Sequence, residues 1–185
     1  DRVKSEFDYV ANQKRRVPLW RLADANFGIL KRDVEIARHL RSVYEAHKSF
    51  IYLDIWWAKN PQDHMIEVAK ALGTLTSAYI AFQSFDQGVL DKIKRSNIKT
   101  DRLITFKKEI EKYTGTSNTD ILFGLPGETK ESHIESYNLA LKFGFKWIGG
   151  GEVRMLPGSE MDTRKDREAF QIKTKYRVGE SDIGI

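Results

Sequence analysis

The 185 residues contain no cysteine. A disulfide framework and any thiolate metal site are therefore excluded within them. No apolar run approaches the ~20 residues of a membrane span, and no signal peptide is visible, so a cytoplasmic location is expected. The histidines His39, His47, His64 and His133 form no HExxH or comparable cluster. His39 and His47 share one helix but lie too far apart to hold one metal. There is no GxSxG, no Ser-His-Asp order and no GxxxxGK[ST] phosphate loop. The charge excess is slight, with 31 basic against 26 acidic residues for a net +5. It permits an anionic ligand or a nucleic acid without requiring either. The basic run Lys92-Ile93-Lys94-Arg95 and the pair Lys107-Lys108 read as solvated helix faces. No aromatic residues are interleaved with them as stacking platforms, so a nucleic-acid partner is not expected. Prolines are scarce: Pro18 stops a helix, Pro61 starts one, Pro126 stiffens a turn and Pro157 ends a strand.

What is present is a strand–helix alternation with 41% hydrophobic residues, enough for a real core. A helix over Arg2 to Lys14 places Val3, Phe7 and Val10 on one face. Val17 to Ala25 reads as a strand, and Asp33 as the cap of a helix reaching His47. Ser49 to Trp57 is a second strand, Pro61 to Leu72 a helix, and Ala78 to Phe85 a third strand. A helical region from Gln87 to Tyr113 breaks near Ser96-Asn97. The run TDILFGLPGET, Thr119 to Thr129, carries the fourth strand into a Gly-Pro-Gly turn. The helix that follows, Glu131 to Lys142, presents Ile134, Tyr137 and Leu141 on one face. A fifth strand lies within Trp147 to Leu156. Strands separated by helices of this length imply right-handed βαβ crossovers and a parallel α/β sheet. From Asp162 the pattern dissolves into charge, so 1–161 is expected as the barrel unit and 162–185 as a charged, partly ordered tail.

Polar residues gather where each strand ends: Asp24 and Asn26, Asp54 with Trp56-Trp57, Gln83 and Ser84, Glu128, and the stretch 154–159. The carboxyl edge of a parallel sheet is where such folds build ligand sites. Each feature also has an ordinary reading. Asp24 or Asn26 suits an Asx turn, Glu128 favours a helix start through the dipole, and the tryptophans suit packing.

Three segments carry a resemblance: ADANFGILKRDVEIA (Ala23 to Ala37), TDILFGLPGETKES (Thr119 to Ser132) and EVRMLPGSEM (Glu152 to Met161). In this order and spacing the chain resembles the radical S-adenosylmethionine superfamily, and most of all members with a separate cobalamin-binding domain. The fold this implies is a partial (β/α)6 TIM-like barrel, with the second to sixth strands here. The family's CxxxCxxC, which binds a [4Fe–4S] cluster, follows the first strand. This chain lacks it and starts at Asp1, so the expectation is a fragment of a longer protein, inactive alone.

The resemblance implies reductive cleavage of S-adenosylmethionine at that cluster in the intact enzyme, with cobalamin-dependent methyl transfer as one outcome. The implied cofactors are S-adenosylmethionine and [4Fe–4S], with cobalamin as a further candidate, and none is expected bound to the fragment. Residue by residue it implies Asp24 and Asn26 near the amino group of S-adenosylmethionine and Ser84 near its ribose or carboxylate. Leu122 and Gly124 would flank adenine, and Met155 and Leu156 would approach from the last strand. The substrate, small molecule or peptide, is not specified. An open first edge of the sheet is expected to favour self-association. Two other readings compete: a cluster-free α/β nucleotide-binding domain, and an RNA-binding module of an RNA-modifying enzyme.

Overall fold

The computed structural model describes residues 2–58, 63–95 and 100–176. Helix α1 (Arg2–Ala11) precedes strand β1 (Leu19–Arg21). Helix α2 (Arg32–His47) leads to β2 (Tyr52–Asp54), and α3 (Asp63–Leu72) leads to β3 (Ala78–Tyr79). Helices α4 (Gln87–Lys92) and α5 (Thr100–Thr114) lead to β4 (Ser117–Asp120). Helix α6 (Lys130–Lys142), β5 (Trp147–Gly149) and α7 (Arg164–Ala169) complete the order. The expected helix start at Pro61 and the break at Ser96-Asn97 lie outside the described residues.

All ladders are parallel. β1 pairs with β2 in the register Trp20↔Leu53, and β3, β4 and β5 form a second ladder in that order. The ladders are shorter than the expected strands. Beyond each one the pairing continues as single bridges, Phe27↔Trp57, Gln83↔Ile121 and Phe123↔Glu152. In β3 and β5 the unbroken ladder occupies only the start of the expected strand. No ladder joins β2 to β3 among the described residues. Side chains close that seam: Tyr52 Oη lies 2.6 Å from Ser77 Oγ, and Trp57 Nε1 donates to the Ser77 carbonyl at 2.8 Å.

The outer face of the sheet is apolar. Leu40 and Val43 of α2, Val68 and Leu72 of α3 and Ile110 of α5 pack with Leu53, Phe50 and Trp20 in one cluster. Each fully buried leucine or valine contributes roughly 1.5–3 kcal/mol. A smaller cluster joins Phe82, Ile121, Ala140 and Phe145.

Four expectations need correction. Of the expected face of α1 only Phe7 packs inward, stacking on Trp20 at 6.5 Å, with Ala11 also on the core, while Val3 and Val10 are exposed. That helix ends at Ala11 because the Asn12 and Gln13 side chains donate to the carbonyls of Asp8 and Tyr9. In α6 the buried residues are Ser136 and Ala140; Ile134 and Leu141 are exposed, and of the expected face only Tyr137 packs inward. The reason is a hydrogen bond from the Phe85 amide to Ser136 Oγ at 3.1 Å, which pulls the small-residue face onto the sheet. Lys107 is no solvated residue: it is 3% exposed, bonded to Glu111 at 2.7 Å and set over the Phe145 ring. Asp33 does not cap α2, as the loop before that helix shows below.

Candidate functional site

Two loops at the carboxyl edge are built on the same device. The loop after β1 places Phe27 and Gly28 in the core, with the Phe27 amide on the Trp56 carbonyl and the Ala58 amide on the Phe27 carbonyl. Gly28 has φ +91°, a conformation that favours glycine. The Asp33 carboxylate, 3% exposed, turns back and accepts the amides of Gly28 and Leu30, both at 2.9 Å. It therefore pins the loop and leaves the helix end uncapped by a side chain.

The loop after β4 repeats the arrangement. Gly124 has φ +87°, and no atom lies within 4 Å of where a Cβ would stand. The Glu128 side chain, 4% exposed, accepts the Gly124 amide at 2.6 Å and the Leu125 amide at 3.4 Å. Its other oxygen meets His133 Nδ1 at 2.9 Å, and His133 is held between Phe123 and Tyr137. Thr129 and Ser132 then form a capping box at the start of α6. Glu128 is thus an internal brace for the turn.

Below the loops the inner face of the sheet is polar. Arg21 Nε bonds Asp54 across β1 and β2 at 2.7 Å. Asn118 donates to Ser77 Oγ at 3.1 Å. Burial, and then a hydrogen bond to Asp120, hold the Tyr79 phenol well above its ordinary pKa of 10.0. A cavity of about 430 Å3 opens at the β2–β3 seam, with Asp54, Trp56, Tyr79, Gln83, Arg95 and Asp120 in its wall. That is within the range of small-molecule pockets. Arg95, expected on a solvated face, is instead part of this wall; its Nη2 donates to the Ala81 carbonyl, and burial lowers its pKa. Gln83 adopts φ +69°, a left-handed conformation uncommon outside glycine.

None of the seven residues expected to bind cofactor lines this cavity. Asp24 and Asn26 are exposed in the first loop on either side of Ala25, which does line the cavity, and Asp24 Oδ1 accepts the Asn26 amide at 2.8 Å, an Asx turn. Gly124 and Leu156 are exposed on the rim, and Leu122 and Met155 are half-buried. The Leu122 amide bonds the Gln83 carbonyl, which ties the fourth-strand loop to the cavity wall. Ser84 is 1% exposed, and its hydroxyl accepts the Asp86 amide at 3.1 Å, so it serves its own turn.

No protein-family model matches the chain. It is 30% identical over 161 residues to the 2-(S-pantetheinyl)-carbapenam-3-carboxylate methyltransferase of Streptantibioticus cattleyicolor, covering 83% of this chain and 23% of that protein. It is 27% identical over 181 residues to the cobalamin-dependent radical SAM methyltransferase TokK of Streptomyces tokunonensis, covering 94% of this chain and 26% of that protein. In fold it is similar to the radical S-adenosylmethionine methyltransferase TsrM of Kitasatospora setae, solved with cobalamin and a [4Fe-4S] cluster bound. The TM-score is 0.66 at 16% identity, with 85% of this chain and 29% of that chain covered. The chain belongs with the radical S-adenosylmethionine enzymes. It carries part of their TIM-like parallel barrel and spans about a quarter of the length of the curated relatives it matches.

Within a radical S-adenosylmethionine barrel, the two groups differ in how these residues suit them. Without cysteine, this chain offers no thiolate for an iron–sulfur cluster, and its own residues do not fit that group. The open backbone at Gly124, with no atom where a side chain would stand, does suit close approach of a flat ligand to the chain. The residues that sequence reasoning passed over are Tyr79, Arg95 and Asp120. The available signal was the polar residues spaced two apart, Tyr52 and Asp54, Asn118 and Asp120, which share one face of their strands where strands buried on both faces would be apolar throughout.

Proposed function

We propose that this chain forms the S-adenosylmethionine-facing part of the barrel in a radical enzyme whose full-length form transfers methyl groups with the help of cobalamin. The observation that carries the reading is the open, carboxylate-braced turn from Gly124 to Glu128 at the carboxyl edge. The methyltransferase names of the two relatives that match most of the chain support it. When bound, S-adenosylmethionine supplies the methyl group and the one-electron chemistry. The chain's own part is to bind and orient. Asp24 and Asn26 offer a carboxylate and an amide oxygen to its ammonium group. The backbone at Gly124, with Leu122, Met155 and Leu156 around it, offers an edge and apolar contacts to the adenine. Ser84 acts from behind, by holding the turn that follows β3. Reductive chemistry of this kind suits the cytoplasm, which we propose as the compartment; none of the described helices is long and apolar enough to cross a membrane.

The test is binding of S-adenosylhomocysteine, which does not react, to the anaerobic full-length protein by calorimetry. Asp24→Ala with Asn26→Ala should weaken binding at least tenfold, as loss of hydrogen bonds to a charged group does. The unfolding midpoint should barely move, because both residues are exposed. A protein that binds no S-adenosylhomocysteine, or a double variant that loses stability and affinity in equal measure, would remove the reading.

A further inference from the structure

The side chains that the cofactor reading uses do not line the cavity at the β2–β3 seam, although Ala25, between Asp24 and Asn26, does, and Leu122 is bonded to its wall at Gln83. We propose that it is a subsite for an ammonium group on a second ligand, the substrate, held by Asp54 and Asp120 and by the amide oxygen of Gln83. The proposal rests on the S-adenosylmethionine reading only for the identity of the first ligand.

Charge and shape support an amine. Among the described residues, the wall holds two carboxylates and a single guanidinium. That guanidinium, of Arg95, is turned onto the Ala81 carbonyl. A carboxylate has about four acceptor positions. Asp54 gives one of them to Arg21, whose side chain is mostly exposed and so is screened by solvent. Asp120 takes the Tyr79 phenol, a partner that brings no opposite charge. Trp56, Trp57 and Tyr79 add aromatic surface to the same wall, and aromatic faces attract cations once water is excluded.

Gln83 is a second and independent sign. Its backbone is held at φ +69° against the end of β4, its amide on the Asp120 carbonyl and its carbonyl on the Leu122 amide. A residue other than glycine in that conformation carries strain, and such strain gathers at ligand clamps. The turn itself would be easier with glycine. A glutamine there is accounted for by its side chain, which belongs to the cavity wall.

The experiment uses the full-length protein with propylammonium, propanol and propionate as probes in saturation-transfer NMR, alongside S-adenosylhomocysteine by calorimetry. Propylammonium should bind more tightly than either neutral propanol or propionate. Asp54→Asn and Asp120→Asn should each weaken propylammonium about tenfold, the range for a hydrogen bond to a charged group. Affinity for S-adenosylhomocysteine should stay within about twofold, as expected for independent sites. Gln83→Gly keeps the backbone conformation without strain, so it should fold at least as well while binding propylammonium severalfold more weakly. Equal binding of the three probes would overturn the proposal. So would a parallel loss of propylammonium and S-adenosylhomocysteine in the Asp variants, because the cavity would then serve the cofactor's own amino group. If the unsubstituted protein bound propylammonium as described but no S-adenosylhomocysteine, the function proposed above would fall and the ammonium subsite would stand.

Discussion

The loops after β1 and β4 solve one problem in two settings. Each has a glycine at positive φ, Gly28 and Gly124, and each is tied by a carboxylate, Asp33 in the first turn of the next helix and Glu128 just before it. The first loop is sunk in the core, with Phe27 buried and Met65 Cγ only 3.0 Å from where a Gly28 Cβ would stand. The second stands open, with Phe123 exposed and free space at Gly124. The same brace therefore holds a packed loop in the first case and an open one in the second. A loop that the core does not cover lacks packing to hold it, and His133 adds a second partner for Glu128.

Removing the two carboxylates is the strongest way to break this contrast. Asp33→Ala leaves a buried and a half-buried amide without partners, and should cost about 2–4 kcal/mol in urea unfolding. Glu128→Ala should cost only about 1–2 kcal/mol, because water can reach the exposed Gly124 amide. Its larger effect should be on S-adenosylhomocysteine affinity. Equal stability losses would mean that the second loop is as structural as the first. The glycines sharpen the contrast on a smaller scale. Gly28→Ala combines left-handed backbone with the Met65 contact and should cost about 2 kcal/mol; Gly124→Ala meets only the backbone penalty, about 1 kcal/mol. Only the Gly124 variant should bind S-adenosylhomocysteine less well.

The order of elements and the two glycine loops were legible in the sequence, because periodicity and Gly-Pro punctuation are local signals. Features set by distant partners were not. Asp33 looks like a helix cap until the chain folds back and puts the amides of Gly28 and Leu30 within its reach. Lys107 sits in a basic pair, yet Glu111 and the Phe145 ring draw it inward. The inward face of α6 is decided by Phe85, 51 residues away in the chain from Ser136. The candidate site was legible only as an edge. Asp24, Asn26 and Gly124 stand on the rim as expected, but the wall below them pairs Tyr79 with Asp120 and Arg21 with Asp54 across strands. That pairing depends on register, which a single sequence does not display.

Register also extends the contrast below the loops. Under the first loop a carboxylate is answered by a cation, Asp54 by Arg21; under the second, Asp120 is answered by the neutral phenol of Tyr79. Titration with alkali should separate the two pairs, although nothing changes at neutral pH. The folded-state pKa of Tyr79 lies above its ordinary 10.0. Its contribution to stability is therefore fully present below about pH 10 and is lost as pH rises through the folded value. Ionisation would set a phenolate beside Asp120, whereas the Arg21–Asp54 pair contains no phenol to ionise. Absorbance of tyrosinate near 295 nm should show Tyr79 ionising after tyrosines of ordinary pKa, in step with loss of structure around β3 and β4. Asp120→Asn should move that ionisation downward yet leave it above the ordinary value, since burial is the larger cause and the hydrogen bond the second. A Tyr79 that titrated at about pH 10 in the folded protein would show that the second pair is open to water, and the inner wall would then be alike under both loops.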